Sequence, residues 1–247
     1  MNVVDISNYT GPLDPAQVAA LRDNFGLVIV QAVDPPSPPY PVGVTREQVL
    51  ALQAAGVEVE AYIYLWFDEP VASVRTRLNL LNGLGIKRVW LDVEDAEGSM
   101  WYTTAQCQDK VRAAVYAIAE YGYEVGIYTA KWFWGDWMGP EFSYLPLWVA
   151  QYDDIPDLAV FNPFGGWSQA AIKQYVGTTQ LDYSGVLIPN VDLNVAADPP
   201  PVATPHDYVL ALVHAAVRAK EGGDARDLSA EDKAALKAYS DAANTSY

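Results

Sequence analysis

Short apolar segments alternate with helical stretches along the first 195 or so residues of this 247-residue chain. The segment 27–32 is continuous and rich in β-branched residues, which is typical of a strand covered on both faces. Alternating strands and helices indicate a parallel sheet, because a parallel connection needs a crossover that a helix usually supplies. The pattern therefore predicts an α/β fold.

Eight segments qualify as strands, at 3–6, 27–32, 57–66, 88–94, 124–129, 147–151, 172–175 and 191–193. The helices predicted between them lie at 15–24, 46–55, 70–84 and 104–121, and the last three each end at a glycine. Eight strands within so short a length predict a closed, TIM-barrel-like (β/α) barrel. The later connections contain little helix, so we expect the second half of the barrel to be irregular.

A proline-rich stretch separates the barrel from a charged, alanine-rich tail. We therefore predict a barrel at 1–197, a linker at 198–206 and a helical C-terminal extension at 207–247. The extension contains two helix candidates, at 207–220 and 229–243. We expect it to pack on the barrel or to mediate self-association.

The chain carries 31 acidic and 15 basic side chains, a formal net charge of −16. Such a charge disfavours nucleic-acid binding, because neutralising phosphates needs clustered Lys and Arg. It also disfavours docking on an anionic membrane, and no apolar run approaches the ~20 residues of a membrane span. We expect neither nucleic acid nor stable membrane insertion among its interactions.

The residue types available for catalysis are few. Cys107 is the only cysteine, and both histidines, His206 and His214, lie near the C-terminus. A Cys–His or Ser–His nucleophile and a cysteine-rich zinc site are therefore disfavoured, and we expect no metal or other cofactor. The N-terminus lacks a basic segment followed by an apolar one, so no secretory signal is visible.

Two carboxylates stand at alternate positions at the end of the fourth strand candidate, Asp92 and Glu94. Side chains two apart on a strand share a face at ~6.5 Å, so each carboxylate disfavours ionisation of the other. One neutral and one ionised carboxyl is the pair that glycosidic bond cleavage requires. The alternative is a solvated strand end.

Two more acids strengthen the catalytic interpretation. Asp5 ends the first strand, and Asp192 lies in the last, which neighbours the first in a closed barrel. Both open on the same barrel end as Asp92 and Glu94. We therefore predict that these four side chains, named here the carboxylate cluster, converge on one pocket.

Aromatic side chains occur at the same strand ends. Sugar rings stack their CH faces on aromatic rings, so a carbohydrate cleft needs such side chains. The candidates are Tyr62, Tyr64, Trp66, Tyr128, Trp148, Tyr152 and Tyr175. The alternative, that they are core residues, stays open for about half of them.

Six short motifs follow one another along the chain: Asp5-Ile6-Ser7, Leu91-Asp92-Val93-Glu94, Gly126-Ile127-Tyr128-Thr129, Leu147-Trp148-Val149-Ala150-Gln151-Tyr152, Gln174-Tyr175 and Val191-Asp192-Leu193-Asn194. In this order they resemble glycoside hydrolase family 25, the Chalaropsis-type lysozymes and phage endolysins, over residues 3 to about 195. The resemblance implies a flattened β/α barrel. It also implies an N-acetylmuramidase that cuts the β-1,4 bond between N-acetylmuramic acid and N-acetylglucosamine in peptidoglycan.

The resemblance also implies roles for single residues. Glu94 is the implied general acid, and Asp92 assists the N-acetyl group or stabilises positive charge. Asp5 and Asp192 hold Asp92, a water or the substrate. The implied substrate-binding residues are Tyr62, Tyr64, Trp66, Tyr128, Trp148, Gln151, Tyr152 and Gln174.

Two segments depart from the family pattern. The second strand carries Gln31 where the family usually has a lysine-bearing segment, and the third carries Ile63 and Tyr64 where a Tyr-His-Phe-like segment is usual. Both changes fall at the floor or rim of the cleft. They affect substrate specificity and leave the acid pair in place.

By the same resemblance, peptidoglycan glycan strands are the expected partner. The expected context is the cell wall, reached by a phage lysin released from the host cytoplasm or by secretion without a signal. Two alternatives stay open: a catalytically weak glycan-binding or phage structural barrel, and another barrel glycosidase. A chitinase-like strand reads Asp-x-x-Asp-x-Asp-x-Glu, of which only the last Asp-x-Glu occurs here.

Overall fold

A computed structural model describes residues 1–33, 44–135 and 137–197. Eight strands form a closed barrel in which neighbours follow the chain order. They are β1 (Asn2–Ile6), β2 (Leu27–Gln31), β3 (Glu58–Tyr64), β4 (Arg88–Asp92), β5 (Glu124–Ala130), β6 (Leu147–Ala150), β7 (Ile172–Tyr183) and β8 (Val186–Ala196). The predicted α/β barrel is confirmed. The linker at 198–206 and the extension at 207–247 lie outside the described residues.

Helices follow each of the first five strands. They are α1 (Pro15–Asn24), α2 (Val44–Ala54), α3 (Val71–Leu80), α4 (Ala96–Ser99), α5 (Thr104–Glu120) and α6 (Lys131–Trp134). Capping boxes start α1 at Asp14 and α5 at Thr103. Between β6 and β7 the described chain has a 3₁₀ turn, Leu158–Val160, and no α-helix, so the second half of the barrel is irregular as predicted.

The final strand runs antiparallel to both of its neighbours, β1 and β7. The prediction of a wholly parallel sheet is therefore wrong at this point, and β7 and β8 are much longer than predicted. A two-residue turn joins them at Ser184 (φ 56°) and Gly185 (φ 90°). Positive φ at both positions matches the twist of a tight hairpin, which needs no crossover helix.

Three strands end earlier than predicted, β3 at Tyr64, β4 at Asp92 and β6 at Ala150. The following side chains at Trp66, Glu94 and Gln151 therefore stand in loops after the strand ends. These loops form the carboxyl end of a β/α barrel, which is the face where such barrels place functional residues.

Two apolar layers hold the barrel together. One lies between strands and helices, and the other fills the barrel interior with large aromatic rings. Trp148 packs edge-on against Trp90 at 5.9 Å and Tyr128 at 4.5 Å between ring centroids. Gly126 leaves room for this packing, because a Cβ there would lie 2.2 Å from the Trp90 ring.

Charged side chains and one indole N–H are paired with one another inside the barrel. The indole N–H of Trp90 donates to Glu60 at 2.6 Å, and Arg88 lies 3.4 Å from the same carboxylate and 2.8 Å from Glu124. This contact fixes Trp90 two residues before Asp92 on the same strand. Within the described ranges, no helix is both long and apolar enough to cross a membrane.

Candidate active site

The four members of the carboxylate cluster come together at the carboxyl end of the barrel. Asp5 stands directly opposite Asp192 in the β1–β8 ladder. Asp92 closes β4, and Glu94 follows two residues later. Asp5 and Asp92 are buried, whereas Glu94 and Asp192 are half-buried, so the cluster has a deep side and an open side.

Every carboxyl of the cluster has a raised pKa. Burial is the largest cause for Asp92, followed by the negative charges of Glu94 and Asp5. Burial and then the charge of Asp192 raise the pKa of Glu94. Asp5 and Asp192 also have raised pKa values, mainly because of burial. The cluster therefore retains protons at a pH where isolated carboxyls are ionised.

Asp92 differs from its neighbours in its hydrogen bonding. Its Oδ1 is buried and has no hydrogen-bond partner among the described residues. Leaving such an atom unpaired costs about 1–3 kcal/mol. A buried polar atom without a partner is uncommon and often marks a functional site. This one belongs to the same cluster as the more exposed Glu94.

Gln174 links two tyrosines to two carboxylates. Its Oε1 accepts the hydroxyls of Tyr128 at 2.7 Å and Tyr152 at 2.9 Å. Its Nε2 donates to Asp5 at 2.9 Å and to Asp192 at 3.0 Å. The opposite amide orientation would set an oxygen against both carboxylates, so this network fixes the side chain. Gln174 is 1% exposed and uses both ends of its amide, so it holds the two acids, and the expectation that it binds substrate is not met in this geometry.

Trp148 has a different position from the one expected of a stacking platform. It is 1% exposed, and its ring packs against Tyr62 and Tyr128, so neither ring face is open to a sugar. Its indole N–H donates to Asn194 Oδ1 at 2.7 Å, and Asn194 Nδ2 donates to Asp5 at 2.8 Å. Trp148 therefore supports the carboxylate cluster from below.

Gln151 is likewise engaged away from the cleft. Its Nε2 donates to Asp153 at 2.7 Å and to the carbonyl of Val160 at 2.9 Å. Its Oε1 accepts the backbone N–H of Asn162 at 3.1 Å. Because both ends of the amide are used within one loop, the expectation that it binds substrate is not met in this geometry.

The remaining predicted aromatics lead from the interior to the rim. Tyr62 is buried at the cleft floor, Tyr64 is half-buried, and Trp66 is 44% exposed with its ring 4.4 Å from that of Tyr64. Tyr152 stands across the site and is 59% exposed. Its hydroxyl donates to Gln174 at 2.9 Å.

An open cleft of about 280 Å³ borders the β1–β8 side of the cluster. It is lined by Asp5, Ser7, Tyr9, Tyr62, Thr178, Asn190 and Asp192. Four of these, at positions 7, 9, 178 and 190, were not expected from the sequence as site residues.

Irregular backbone in β7 and β8 explains two of the unexpected residues. Thr178 (φ 43°) and Asn190 (φ 51°) both adopt left-handed conformations, and the β7–β8 register shifts on either side of Thr179. The Thr178 N–H donates to the Asp192 carboxylate. Bulges of this kind re-aim side chains beside functional sites. The Ser184-Gly185 turn was the sequence signal that could have revealed the hairpin.

The two departures from the family pattern have structural roles. The Gln31 side chain accepts the backbone N–H of Asn8 at 3.3 Å, so it holds the loop after β1 beside the cleft. Ile63 faces the outer core, whereas Tyr64 faces the rim. Among the residues that the structure describes, no group of three or more His, Cys, Asp or Glu side chains is arranged to hold a metal ion.

Residues 3–175 match the protein family described as lysozyme-like protein 1. Probable GH family 25 lysozyme 3 of Dictyostelium discoideum is 32% identical over 203 residues, which cover 78% of this chain and 40% of the relative. The chain thus spans less than half the length of that relative.

The fold is similar to two solved structures. A family 25 glycosyl hydrolase from Bacillus anthracis has a TM-score of 0.61 at 14% identity, covering 80% of this chain and 88% of its own. A muramidase from Acremonium alcalophilum has a TM-score of 0.58 at 16% identity, covering 86% and 99%. Since the family match covers more than half of the sequence and the barrel agrees with it, the chain belongs to the lysozyme-like proteins of glycoside hydrolase family 25.

Proposed function

We propose that the chain is an N-acetylmuramidase that hydrolyses the β-1,4 bond between N-acetylmuramic acid and N-acetylglucosamine in peptidoglycan. The observation that carries the proposal is the convergence of four carboxyls with raised pKa values beside an open cleft. The muramidase from Acremonium has a similar fold. So does a modular autolysin of Streptococcus pneumoniae that was solved with a synthetic peptidoglycan ligand (TM-score 0.60, 15% identity, 78% of this chain and 46% of that one).

Glu94 is the proposed general acid. Its raised pKa, caused by burial and the charge of Asp192, favours the protonated form that must donate to the leaving oxygen. It is half-buried, so its carboxyl is partly desolvated and still partly exposed to solvent. A partly exposed, protonated carboxyl beside a second acid is what acid-assisted cleavage needs.

Asp92 is proposed to stabilise the positive charge that develops at the sugar, directly or through the substrate N-acetyl group. It lies deeper than Glu94, and its Oδ1 is buried without a hydrogen-bond partner among the described residues. The negative charge of Glu94 raises the pKa of Asp92, and that of Asp192 raises the pKa of Glu94, so the acids of the cluster disfavour ionising together.

Asp5 and Asp192 are proposed to position Asp92, a water or the substrate. Hydrogen bonds from Asn194 and Gln174 lower the pKa of Asp5, and the Thr178 N–H lowers that of Asp192, partly offsetting burial. These donors favour the ionised forms. An ionised Asp192 then acts on Glu94 through its charge.

Substrate binding is proposed for four aromatic side chains at the cleft floor or the rim, Tyr62, Tyr64, Trp66 and Tyr152, whereas the buried Tyr128 supports Gln174 through its hydroxyl. Trp66 and Tyr152 are the most exposed of them, and they follow β3 and β6, which lie on either side of β4 and β5 in the barrel. Their rings offer faces for sugar CH groups. With a net charge of −16, the chain gains nothing from anionic wall polymers, so recognition rests on this cleft.

The proposed place of action is the bacterial cell wall. A phage lysin released from the host cytoplasm, or a protein secreted without a signal, is consistent with the function. Self-association through 207–247 is a further proposal about residues that lie outside the described ranges. Light scattering of the full chain and of a chain ending at residue 197 tests this proposal. The same number of subunits in both particles would contradict it.

The test of function is digestion of purified peptidoglycan, with the new reducing ends identified by mass spectrometry. Muramic acid ends support the proposal, whereas N-acetylglucosamine ends indicate a different glycosidase. Binding without new ends indicates a glycan-binding barrel. Glu94→Gln removes the acid, and Glu97→Gln, an exposed position on α4, is the matched control.

A further inference from the structure

Lys173 is a charged side chain that the structure buries completely. It lies on β7 and is 0% exposed. Its neighbours Ile172 and Gln174 face the barrel interior, so strand alternation directs Lys173 to the outer side. In the described chain no α-helix connects β6 to β7, and the loop at 151–162 lies where a helix covers other strands.

The ammonium group of Lys173 is bound by that loop. Its Nζ lies 2.8 Å from the Asp153 carboxylate, 3.0 Å from the carbonyl of Ile155 and 3.4 Å from the carbonyl of Asp157. An ammonium has three donors, and here each has an acceptor on a single loop. Burying a charge is tolerated only with such complete pairing.

Other bonds hold the same loop in one conformation. Gln151 bridges its two ends through Asp153 and Asn162, as described above. Asp154 adopts a left-handed backbone (φ 59°), and its N–H donates to the carbonyl of Tyr175 at 3.2 Å. A non-glycine residue persists in that region only where its surroundings impose it.

Tyr152 is the loop residue that reaches the carboxylate cluster. Its hydroxyl donates to Gln174 at 2.9 Å and lies 3.4 Å from that of Tyr128. Its ring packs over the backbone of β7, where a Cβ at Gly177 would lie 3.2 Å from it. One short loop therefore contacts Lys173 on the outer side of β7 and carries Tyr152, which contacts Gln174 on the inner side.

We propose that Lys173 is a positioning residue for the hydrolysis. By binding the loop at 151–162, it holds Tyr152 against Gln174, and Gln174 in turn holds Asp5 and Asp192. It acts on the reaction from outside the barrel and touches neither the substrate nor the reacting carboxyls. The inference rests on the proposed muramidase function, since its kinetic test needs that activity.

The kinetic test is a double-mutant cycle between Lys173→Met and Tyr152→Ala, measured as kcat/KM on peptidoglycan. We expect each single variant to lose about tenfold or more, because small misplacements at a site are costly. The double variant should then lose no more activity than the worse single variant, within about twofold. Both changes disrupt the same contact between Tyr152 and Gln174, so their effects do not add. Multiplying losses would overturn the proposal, since a general loss of stability acts independently of Tyr152.

Arg112→Met is the matched control. Arg112 forms a partly buried ion pair with Glu141 at 2.6 Å and a second ion pair with Asp109, so both of its partners lie outside the loop at 151–162. We expect its kcat/KM to stay within about twofold of the wild type. If kcat/KM falls equally in Arg112→Met and Lys173→Met, removing any buried ion pair has this effect. That result would overturn the proposal.

Hydrogen exchange separates this inference from the proposed function. In Lys173→Met we expect amide protection to fall at least about tenfold at Ile155 and Asn162, with no change in β4. Unchanged loop protection, or equal loss throughout the barrel, would overturn the inference even if peptidoglycan is cleaved. If the wild type cleaves no peptidoglycan, the function fails while the exchange result stands. Should Lys173→Met not fold, Asp153→Asn removes the counter-charge from the more exposed partner and must give the same result.

Discussion

Replacing Gln174 by leucine tests how the carboxylate cluster is held. The substitution keeps the approximate volume and removes four hydrogen bonds, two to tyrosine hydroxyls and two to carboxylates. Asp5 retains Asn194, Asp192 retains the Thr178 N–H, and Tyr152 is open to water. The buried Tyr128 hydroxyl and the weakened carboxylates account for an expected loss of about 2–4 kcal/mol in the free energy of unfolding at neutral pH.

The loss should depend on pH in a defined direction. Asp5 and Asp192 have raised pKa values, so the native state holds protons that the unfolded state releases above its pKa of about 3.8. Stability therefore falls as pH rises from that value through the native pKa. Gln174 lowers the pKa of Asp5, so Gln174→Leu raises it further and extends the fall to higher pH. The variant should be closest to the wild type in acid.

Urea unfolding followed by tryptophan fluorescence at several pH values measures both effects. Gln48→Leu is the control, because Gln48 is equally buried but donates to the backbone carbonyl of Gly11 at 2.7 Å and not to a carboxylate. Its cost should not vary with pH. A Gln174→Leu cost below about 0.5 kcal/mol, or one that is the same at all pH values, would refute the reasoning.

Three further changes have expected outcomes. Asp192→Asn removes a charge that raises the pKa of Glu94, so the alkaline limb of the kcat/KM profile should move to lower pH. Asp92→Asn should raise the free energy of unfolding at neutral pH by about 1–3 kcal/mol in denaturant titrations, because it removes a buried carboxyl whose raised pKa costs stability there, while activity falls. Trp66→Ala should raise KM by about 2–10-fold with little change in kcat, as expected for an exposed stacking ring.

Each of these three expectations has a result that would contradict it. An unmoved or upward-shifted alkaline limb in Asp192→Asn would mean that this charge does not act on Glu94. A less stable Asp92→Asn would mean that Asp92 has a favourable partner in the folded state. A fall in kcat alone for Trp66→Ala would place that ring in the chemical step and not in binding.

The carboxylate cluster was predictable because strand periodicity and barrel closure are both visible in the sequence. Alternation directs Asp92 into the barrel, with Glu94 just beyond the strand end, and closing eight strands makes the first and last neighbours. Asp5 and Asp192 then pair directly, even though β8 runs in the unexpected direction. Side-chain facing depends on the local strand, so it survives an error in strand direction.

The misplaced residues show where periodicity stops being informative. Alternation correctly directs Trp148 inward, but it says nothing about depth along the barrel axis, which decides between stacking and support. Gln151 follows a strand end, yet the loop beyond it uses its whole amide. Thr178 and Asn190 reach the cleft through bulges, whose positions depend on pairing between distant residues.

The central claim is that Glu94 supplies the proton for glycosidic cleavage. Its most direct test compares wild type, Glu94→Gln and Glu97→Gln on purified peptidoglycan, counting new muramic acid reducing ends by mass spectrometry. We expect Glu94→Gln to be at least ~100-fold slower, the lower end of the loss of general acid catalysis, with Glu97→Gln unchanged. Undiminished release of muramic acid ends by Glu94→Gln would contradict the claim.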